Sequence, residues 1–166
     1  MKQILETERF ILREKTAEDA EFFYELNSDP EVIRYTGNDS FTSIEEAKRL
    51  LDDYPDYKQN GYGRWGVVEK ATGEMWGWCG LKLRDNGEID LGYRFHKRYW
   101  NKGAATECSI ACIQYGFEVL GMERIMAEAL VENPASIRVM EKVGMQFCRH
   151  GHDHGDETLV YEIFRN

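Results

Sequence analysis

The chain has 166 residues, of which 42% are hydrophobic and 31% charged, and these proportions suit one globular domain with a buried core. No apolar stretch approaches the ~20 residues that span a bilayer, and the first ten residues lack the apolar core of a signal peptide. We therefore expect a cytoplasmic protein without a membrane partner. The net charge of -9 disfavours nucleic acid and suits a cationic partner such as an amine.

The four cysteines, at positions 79, 108, 112 and 148, include no CxxC pair. Cys108 and Cys112 are four residues apart in a predicted helix, so both can face the core. A cytosolic setting keeps thiols reduced. The cysteines are therefore expected to be free structural thiols and not disulfides or zinc ligands.

The N-terminal part of the sequence predicts one strand and two helices. Residues 3–16 are typical of an extended segment. Acidic residues after a capping threonine indicate a first helix over about 16–26. Ser43 and Glu46 form a capping box, which predicts a second helix that ends near residue 54.

The middle of the sequence predicts three strands joined by two hairpin turns. Segments 63–69 and 75–84 are rich in Trp, Val and Leu, and a Thr-Gly pair joins them. An Asn-Gly pair leads into 88–95, where apolar and polar residues alternate with the period of a strand. Trp76 and Trp78 are two residues apart, so we expect them on one face of their strand, in the core.

The C-terminal part predicts a helix over 104–119, a strand over 124–130, a helix from Pro134 to Gly144, and a final strand pair over 145–150 and 158–164. The order is β-α-α-β-β-β-α-β-α-β-β. This pattern predicts an α+β fold (mixed α/β) in one domain over 1–166, with a mixed central sheet and helices on both faces.

A run of small residues opens the helix at 104. The first turn of a helix carries unpaired N–H groups and a positive dipole end, and small residues let an anion approach those groups closely. Gly103, Ala104 and Ala105 therefore predict a pyrophosphate site, with Lys102 as a nearby positive charge. The simpler interpretation is an ordinary strand-to-helix connection. Neither GxGxxG nor GxxxxGK[ST] is present, which disfavours a Rossmann or P-loop site.

A second polar segment begins the helix after the strand over 124–130. Asn133 is a good helix-capping residue, and that is also its simplest interpretation. Ser136 falls in the first turn of the same helix, where a solvated serine is equally usual. The two segments in this order are far more specific than either segment alone.

With these two segments in this order, the sequence resembles the GNAT superfamily of N-acetyltransferases. It is most similar to the RimJ/RimL-type branch, whose known members acetylate the N-termini of ribosomal proteins. The resemblance covers nearly the whole chain. It implies a mostly antiparallel sheet splayed between the fourth and fifth strands, with acetyl-CoA as the donor and a primary amine as the acceptor. The segments that carry it are Thr7–Arg13, Asp90–Tyr93, Trp100–Glu107 and Asn133–Gly144.

The resemblance also implies roles for individual residues in binding acetyl-CoA. Main-chain groups near Phe95 and His96 would pair with the pantetheine arm, Asn133 would contact that arm, and Ser136 would lie near the sulfur. Trp100 stands at the first position of the family's Q/R-x-x-G-x-G/A loop, while the two small positions of that loop are filled as the family requires. The backbone N–H groups that would cradle the pyrophosphate belong to Asn101, Lys102, Gly103, Ala104 and Ala105.

The mechanism that the resemblance implies is direct attack of a neutral amine on the thioester, without a metal. A backbone N–H near Phe95 would polarise the carbonyl. Asp90 would act as the base, directly or through water, with Glu88 two residues earlier as the reserve; solvated acidic residues on a strand face are the simpler interpretation. Many relatives carry a tyrosine four residues after Ser136, and Met140 stands there in this chain. Met140 cannot donate a proton, so Ser136 becomes the candidate acid.

Other interpretations remain open at the level of sequence. His150, His152 and His154 are of a type that binds metals, but their glycine-rich setting predicts a hairpin loop, so we expect no metal and histidines that border the acceptor site. A non-catalytic acetyl-CoA sensor or interaction module, and a purely structural domain, are the competing functions. A homodimer is implied by family analogy alone. The acceptor, which variable loops determine, could be a protein N-terminus or a cationic small molecule.

Overall fold

A computed structural model describes residues 2–166 of the chain. Eight strands form one sheet in the order β1-β2-β3-β4-β5-β6-β8-β7, in which only the β5–β6 pair is parallel. The strands are β1 (Gln3–Glu6), β2 (Phe10–Arg13), β3 (Arg64–Glu69), β4 (Met75–Leu83), β5 (Ile89–Phe95), β6 (Arg124–Leu130), β7 (Gln146–Asp153) and β8 (Asp156–Phe164).

Six α-helices cover the two faces of this sheet, and two short 3-10 helices, Ala17–Asp19 and Lys97–Tyr99, precede or connect them. None of the helices within residues 2–166 combines the length and the apolar character needed to cross a bilayer. The helices are α1 (Ala20–Ser28), α2 (Pro30–Ile33), α3 (Ile44–Asp52), α4 (Asp56–Asn60), α5 (Ala104–Glu118) and α6 (Pro134–Lys142).

The predicted α+β fold is confirmed, but the short helices α2 and α4 were not predicted, and the chain differs from the prediction near both ends. The segment over 3–16 is a hairpin of two strands, because Thr7 turns the chain: its N–H donates to the Phe10 carbonyl at 2.8 Å and its hydroxyl accepts from the Phe10 N–H at 3.0 Å. At the other end, β7 and β8 continue to a two-residue turn at His154 and Gly155, which both have positive φ. Most of the predicted histidine loop is therefore strand.

The expectation that Trp76 and Trp78 share one face is wrong. An irregularity in the β3–β4 register, between Val67↔Gly77 and Val68↔Met75, inserts one residue into β4 and reverses the alternation there. Trp76 stacks on Tyr99 in the main core, whereas Trp78 packs with the smaller cluster formed around α1. The bulge thus directs one indole ring to each side of the sheet.

The sheet divides between β5 and β6, as the resemblance implies for the fourth and fifth predicted strands. These two strands pair only at Asp90↔Met126, near the start of both. In contrast, β5 stays paired with β4 along its whole length, from Leu83↔Ile89 to Gly77↔Phe95. Beyond Asp90 the two parallel strands therefore diverge toward their C-terminal ends and leave a gap through the sheet.

Candidate active site

A cleft of about 430 Å³ occupies the gap between β5 and β6. Its walls come from both diverging strands, from the start of α6, and from the β7–β8 hairpin, with Tyr35 and Thr36 at the rim after α2. Chemically reactive or charged side chains are concentrated in it. They include Asp90, Tyr93, Arg94, Glu128, Ser136 and His152.

Alternation along β5 gives the cleft two sides. Leu91, Tyr93 and Phe95 belong to the main core that packs against α5, whereas Arg94 reaches the opposite face and donates to Asn27 of α1. The His96 N–H donates to the Trp76 carbonyl in the direction of β4 at 2.9 Å. Because successive residues point their N–H groups to opposite edges of a strand, the N–H groups of Tyr93 and Phe95 point toward the unpaired edge of β5.

The loop before α5 presents unpaired N–H groups. Asn101 and Gly103 have φ values of 63° and 77°, which turn the backbone immediately before the helix. No N–H of residues 101–103 donates to an acceptor within 2–166, and a Cβ added to Gly103 would meet only Arg9 Nη2, at 3.6 Å. Asn101 and Lys102 are exposed, and Ala104 is buried beneath them. These residues therefore fit an anion such as the pyrophosphate of CoA.

Two contacts hold this loop in position. The indole N–H of Trp100 donates to the Phe95 carbonyl at 2.9 Å, which ties the loop to the end of β5. The Glu107 carboxylate, in the first turn of α5, accepts from the Arg9 backbone N–H at 3.0 Å and from Arg9 Nε at 2.7 Å. The N-terminal hairpin therefore supports the beginning of α5.

The start of α6 brings a serine and a tyrosine together inside the cleft. Asn133 caps the helix, its Oδ1 accepting from the Ser136 N–H at 3.3 Å. The Tyr93 hydroxyl lies 2.9 Å from Ser136 Oγ and also donates to the Ser136 carbonyl at 3.1 Å. Burial raises the pKa of Tyr93 to about 12, so the phenol keeps its proton at neutral pH. Met140, fully buried, closes the cleft behind Ser136.

The carboxylates around β5 are all held by arginines. Asp90 lines the cleft, where its Oδ2 lies 2.8 Å from Arg64 Nη2 and its Oδ1 lies 3.5 Å from Arg84 Nη2. Glu128, opposite on β6, accepts from Arg84 at 2.9 Å. The floor of the cleft is therefore a network of alternating charges that bridges the two diverging strands.

Glu88 lies outside the lining of the cleft. It joins the start of β5 to Arg124 of β6 at 2.8 Å and to Arg149 of β7 at 3.3 Å. Hydrogen bonds, first from Arg124 and then from Asn86, lower the pKa of Glu88 to about 2. A carboxylate with so low a pKa holds a proton too weakly to be an efficient general base at neutral pH.

The three histidines of the last hairpin separate from one another. His152 and its neighbour Asp153 line the cleft, while His150 lies near Glu157 and His154 faces Gly37 in the segment after α2. Within residues 2–166, no three or more His, Cys, Asp or Glu side chains are grouped so that they could hold a metal ion. The hairpin thus forms one wall of the cleft, and its tip reaches the segment after α2.

The structure brings Asp90, Asn133 and Ser136 into one cleft and leaves the loop over 101–105 at the start of α5. Sequence reasoning missed Tyr93, because its alternation with Leu91 and Phe95 indicated a core residue. The arginines around Asp90 were also missed. Arg64 comes from β3, 26 positions away along the chain, and Arg84 lies just after β4, and no motif in the sequence relates either of them to Asp90.

Comparison with known proteins identifies the family. The model of the acetyltransferase (GNAT) domain matches residues 9–146. An uncharacterised N-acetyltransferase from Bacillus subtilis (strain 168), YoaA, is 36% identical, with 99% of this chain and 98% of that protein covered. A GNAT-family acetyltransferase from Bacillus anthracis superposes with a TM-score of 0.83 at 28% identity, covering 96% of this chain and 97% of that chain.

A more distant neighbour agrees in fold. A spermidine N-acetyltransferase from Vibrio cholerae, in complex with CoA and spermine, superposes with a TM-score of 0.79 at 18% identity, covering 94% of this chain and 95% of that chain. The chain is therefore an acetyltransferase that belongs to the GNAT family.

Proposed function

We propose that this protein transfers the acetyl group of acetyl-CoA to a primary amine by direct attack in the cleft between β5 and β6. The observation that carries the proposal is the Tyr93–Ser136 pair, 2.9 Å apart, at the point where the splayed sheet is open from both faces. A thioester that enters from the α5 face and an amine that enters from the α1 face would meet there. Within the family, the RimJ/RimL-type branch remains our proposed position for the chain.

The proposed binding of acetyl-CoA uses backbone groups at both ends of the cleft. The N–H groups over 101–105 would hold the pyrophosphate, with Lys102 adding positive charge. The N–H groups of Tyr93 and Phe95 on the free edge of β5 would pair with the pantetheine arm as an added strand does. The main chain of His96, expected to share this role, is already used, because its N–H donates to the Trp76 carbonyl and its carbonyl accepts from the Tyr99 N–H. Asn133 and Ser136 would contact the part of the arm nearest the sulfur. Acetyl-CoA supplies an activated acetyl group, and no metal is required.

The proposed chemistry assigns three tasks to this chain. The Phe95 N–H, directed to the open edge, would donate to the thioester carbonyl as negative charge develops on its oxygen. The Ser136 hydroxyl would protonate the departing thiolate and take a proton from Tyr93, and the resulting phenolate would regain its proton from water, because the Tyr93 phenol is neutral at the pH of the reaction. Asp90 would accept the proton of the amine through a water molecule, while Arg64 and Arg84 hold its carboxylate in place.

We also propose the setting in which the enzyme acts. The four cysteines are free, as cytosolic thiols are, which supports a cytoplasmic location. Strands from both ends of the described chain share one sheet, which supports a single catalytic domain over 1–166. A homodimer is proposed on family analogy, and light scattering after gel filtration tests it.

The experiment that tests the function follows thiol release from acetyl-CoA with a panel of amines, namely amino acids, short peptides with free N-termini, polyamines and aminoglycosides. The expected result is release that requires both the protein and an amine. Asp90→Ala and Ser136→Ala are expected to slow it, whereas Glu157→Gln, an exposed residue on β8, serves as the control. Binding of acetyl-CoA without release for any amine would contradict the proposal and favour a sensor.

A further inference from the structure

Three arginines, Arg64, Arg84 and Arg94, and three carboxylates, Asp90, Glu128 and Asp153, line the cleft, and basic side chains gather around Trp78 on the side that faces α1. Three cations surround the indole ring of Trp78: the guanidinium carbons of Arg64 and Arg94 lie 5.2 Å and 5.4 Å from the ring centroid, and Lys15 Nζ lies 5.7 Å from it. Trp78, Arg64 and Arg94 all line the cleft. An anion that enters from this side would therefore meet Arg94 beside the face of Trp78.

The partners of these arginines differ. Arg64 is paired with Asp90, and Arg84 is shared between Asp90 and Glu128. Arg94 has no carboxylate within 4.0 Å among residues 2–166; it donates Nη1 to the amide oxygen of Asn27 and Nη2 to that of Asn38, the latter at 3.0 Å. Two donated hydrogen bonds leave three of the five guanidinium N–H donors free for a ligand.

The surroundings of Arg94 make the lack of an anionic partner energetically unfavourable. Burial, and then repulsion from Arg64, lowers the pKa of Arg94 to about 10, and the same two causes lower the pKa of Lys15 to about 7. The Arg94 guanidinium is still charged at neutral pH. A desolvated cation without an anionic partner gains more from a charge-assisted hydrogen bond than an exposed one does.

The position of Arg94 is fixed and close to the reaction. Asn27 is buried on α1 and anchored by its own hydrogen bond to the Phe23 carbonyl at 2.9 Å, so it holds the guanidinium against Trp78. Arg94 follows Tyr93 directly on β5 and points to the other face. A ligand group on Arg94 would thus lie on the α1 side of the cleft, while Tyr93 and Ser136 stand on the α5 side.

We infer that the acceptor is a small amine that also carries a carboxylate, and that Arg94 binds this carboxylate against the face of Trp78. The inference rests on the proposed acetyl transfer and narrows its acceptor to an amino-acid-like molecule. A bidentate guanidinium–carboxylate contact fixes the orientation of the acceptor as well as its affinity. A polyamine would instead bring further positive charge against Arg94 and Arg64.

The test compares acceptors that differ only in the carboxylate. The twenty common L-amino acids are assayed with acetyl-CoA, each beside its primary carboxamide, together with cadaverine and spermidine. The expected result is a kcat/KM for at least one amino acid that exceeds that of its amide by roughly 10-fold or more, the range of a hydrogen bond between charged groups. The comparison is made on the unaltered protein, so no variant has to fold.

Arg94→Gln is expected to lower kcat/KM for the preferred amino acid by roughly 10- to 100-fold, mainly through KM, and to abolish the discrimination against the amide. Arg94→Lys keeps the positive charge but lacks the paired donors of a guanidinium group. It is therefore expected to retain only part of the parent's kcat/KM and of its discrimination against the amide. Arg165→Gln, an exposed arginine beyond β8, is the matched control. A second readout is the melting temperature in the presence of CoA. Addition of the N-acetylated product should raise this temperature in the parent protein and leave it unchanged in Arg94→Gln.

The contradicting outcomes are distinct from failure of the proposed function. Transfer to amides or polyamines that equals or exceeds transfer to amino acids would overturn the inference and leave the acetyltransferase intact. An equal loss of kcat/KM for all acceptors in Arg94→Gln would show that Arg94 supports the fold. A weaker affinity for acetyl-CoA in that variant would show that Arg94 serves donor binding. Either result would overturn the inference. Absence of transfer to every amine would remove the proposed function itself, and the inference with it.

Discussion

Two hydroxyl groups, those of Tyr93 and Ser136, lie 2.9 Å apart in the cleft. Many members of the family that the chain resembles have a tyrosine where Met140 stands, and methionine has no proton to give. Tyr93 reaches the same region from β5 with a neutral, buried phenol. In the proposed mechanism, Tyr93 on the facing strand supplies the proton that Met140 on α6 cannot, and no local sequence pattern indicates this pairing.

Removing either hydroxyl is expected to reduce turnover without preventing acetyl-CoA binding. Tyr93→Phe and Ser136→Ala should each lower kcat roughly 10- to 100-fold, at or below the lower end of the range for general acid catalysis, because a CoA thiolate leaves readily. The measurement is steady-state thiol release, with calorimetric affinity for CoA alongside. Tyr24→Phe on α1, outside this cleft, is the matched control. Unchanged kcat in both variants would refute the proton path.

Glu88 gives a prediction about stability and pH. Its pKa is lowered from 4.5 to about 2 in the folded state, so its contribution to the free energy of unfolding is present above pH 4.5 and disappears as the pH falls toward 2. Glu88→Gln should therefore destabilise the protein by about 1 kcal/mol at neutral pH, because the ion pairs are partly exposed. Urea denaturation at pH 7 and pH 3 measures it.

The difference between Glu88→Gln and the parent should shrink at the lower pH, while turnover at pH 7 should stay within a few-fold of the parent after correction for folded protein. Glu123→Gln, an exposed partner of Arg165, is the control for a surface carboxylate. A large loss of turnover in Glu88→Gln would instead restore Glu88 as the candidate base.

At the scale of elements, a comparison of two glycines can separate the effect of backbone strain from an effect on ligand binding at the beginning of α5. Gly103, at the start of α5, and Gly73, in the β3–β4 turn, have almost the same φ, 77° and 75°, and neither has close neighbours. Substitution by alanine should cost both sites about 1 kcal/mol of stability, because the left-handed region disfavours a Cβ. Only the methyl group at Gly103 would stand where an anion approaches the free N–H groups.

The affinity for acetyl-CoA should therefore distinguish the two variants. Gly103→Ala is expected to weaken binding roughly 10-fold or more, whereas Gly73→Ala keeps the affinity of the parent and shows only the stability loss. Calorimetry with CoA and thermal melting provide the two readouts. Equal affinities in both variants would show that the pyrophosphate does not approach the helix at Gly103.

Elements with strong local signals were predicted closely from the sequence. Ser43 caps α3 as expected, and the alternation over 88–95 and the Pro134–Gly144 punctuation give β5 and α6 within a residue or two. The errors have local physical causes. A bulge in β4 sends Trp76 and Trp78 to opposite faces, and a turn at Thr7 divides one predicted strand into two. Neither irregularity has a hydrophobic period that could announce it.

At the scale of the whole molecule, the cleft depends on contacts that join distant parts of the chain. Arg64 of β3 meets Asp90 of β5, Arg84 reaches Glu128 of β6, and Asn27 of α1 holds Arg94. The resemblance could propose the pyrophosphate loop and the start of α6 because both are contiguous segments. The acceptor side is assembled from short pieces of many elements, so the sequence alone could not predict its local charge.

Ligand linkage predicts a global effect of acetyl-CoA. Binding at 100 times the dissociation constant adds about 2.7 kcal/mol to the free energy of unfolding. For a chain of this size that corresponds to a rise in melting temperature of roughly 5–10 °C. Differential scanning calorimetry with and without acetyl-CoA measures it, and a chelator should leave both the rise and the turnover unchanged. No rise at saturating acetyl-CoA would argue against a donor site in this fold.

The measurement that tests the central claim most directly is a crystal structure of the protein with CoA and an amine acceptor analogue. The account predicts the pyrophosphate on the N–H groups over 101–105, the pantetheine arm along the open edge of β5, and the sulfur within hydrogen-bonding distance of Ser136 Oγ or Tyr93 Oη. The acceptor should approach from the side of Arg94. A sulfur atom outside the β5–β6 cleft, or CoA bound on another face of the sheet, would contradict the account.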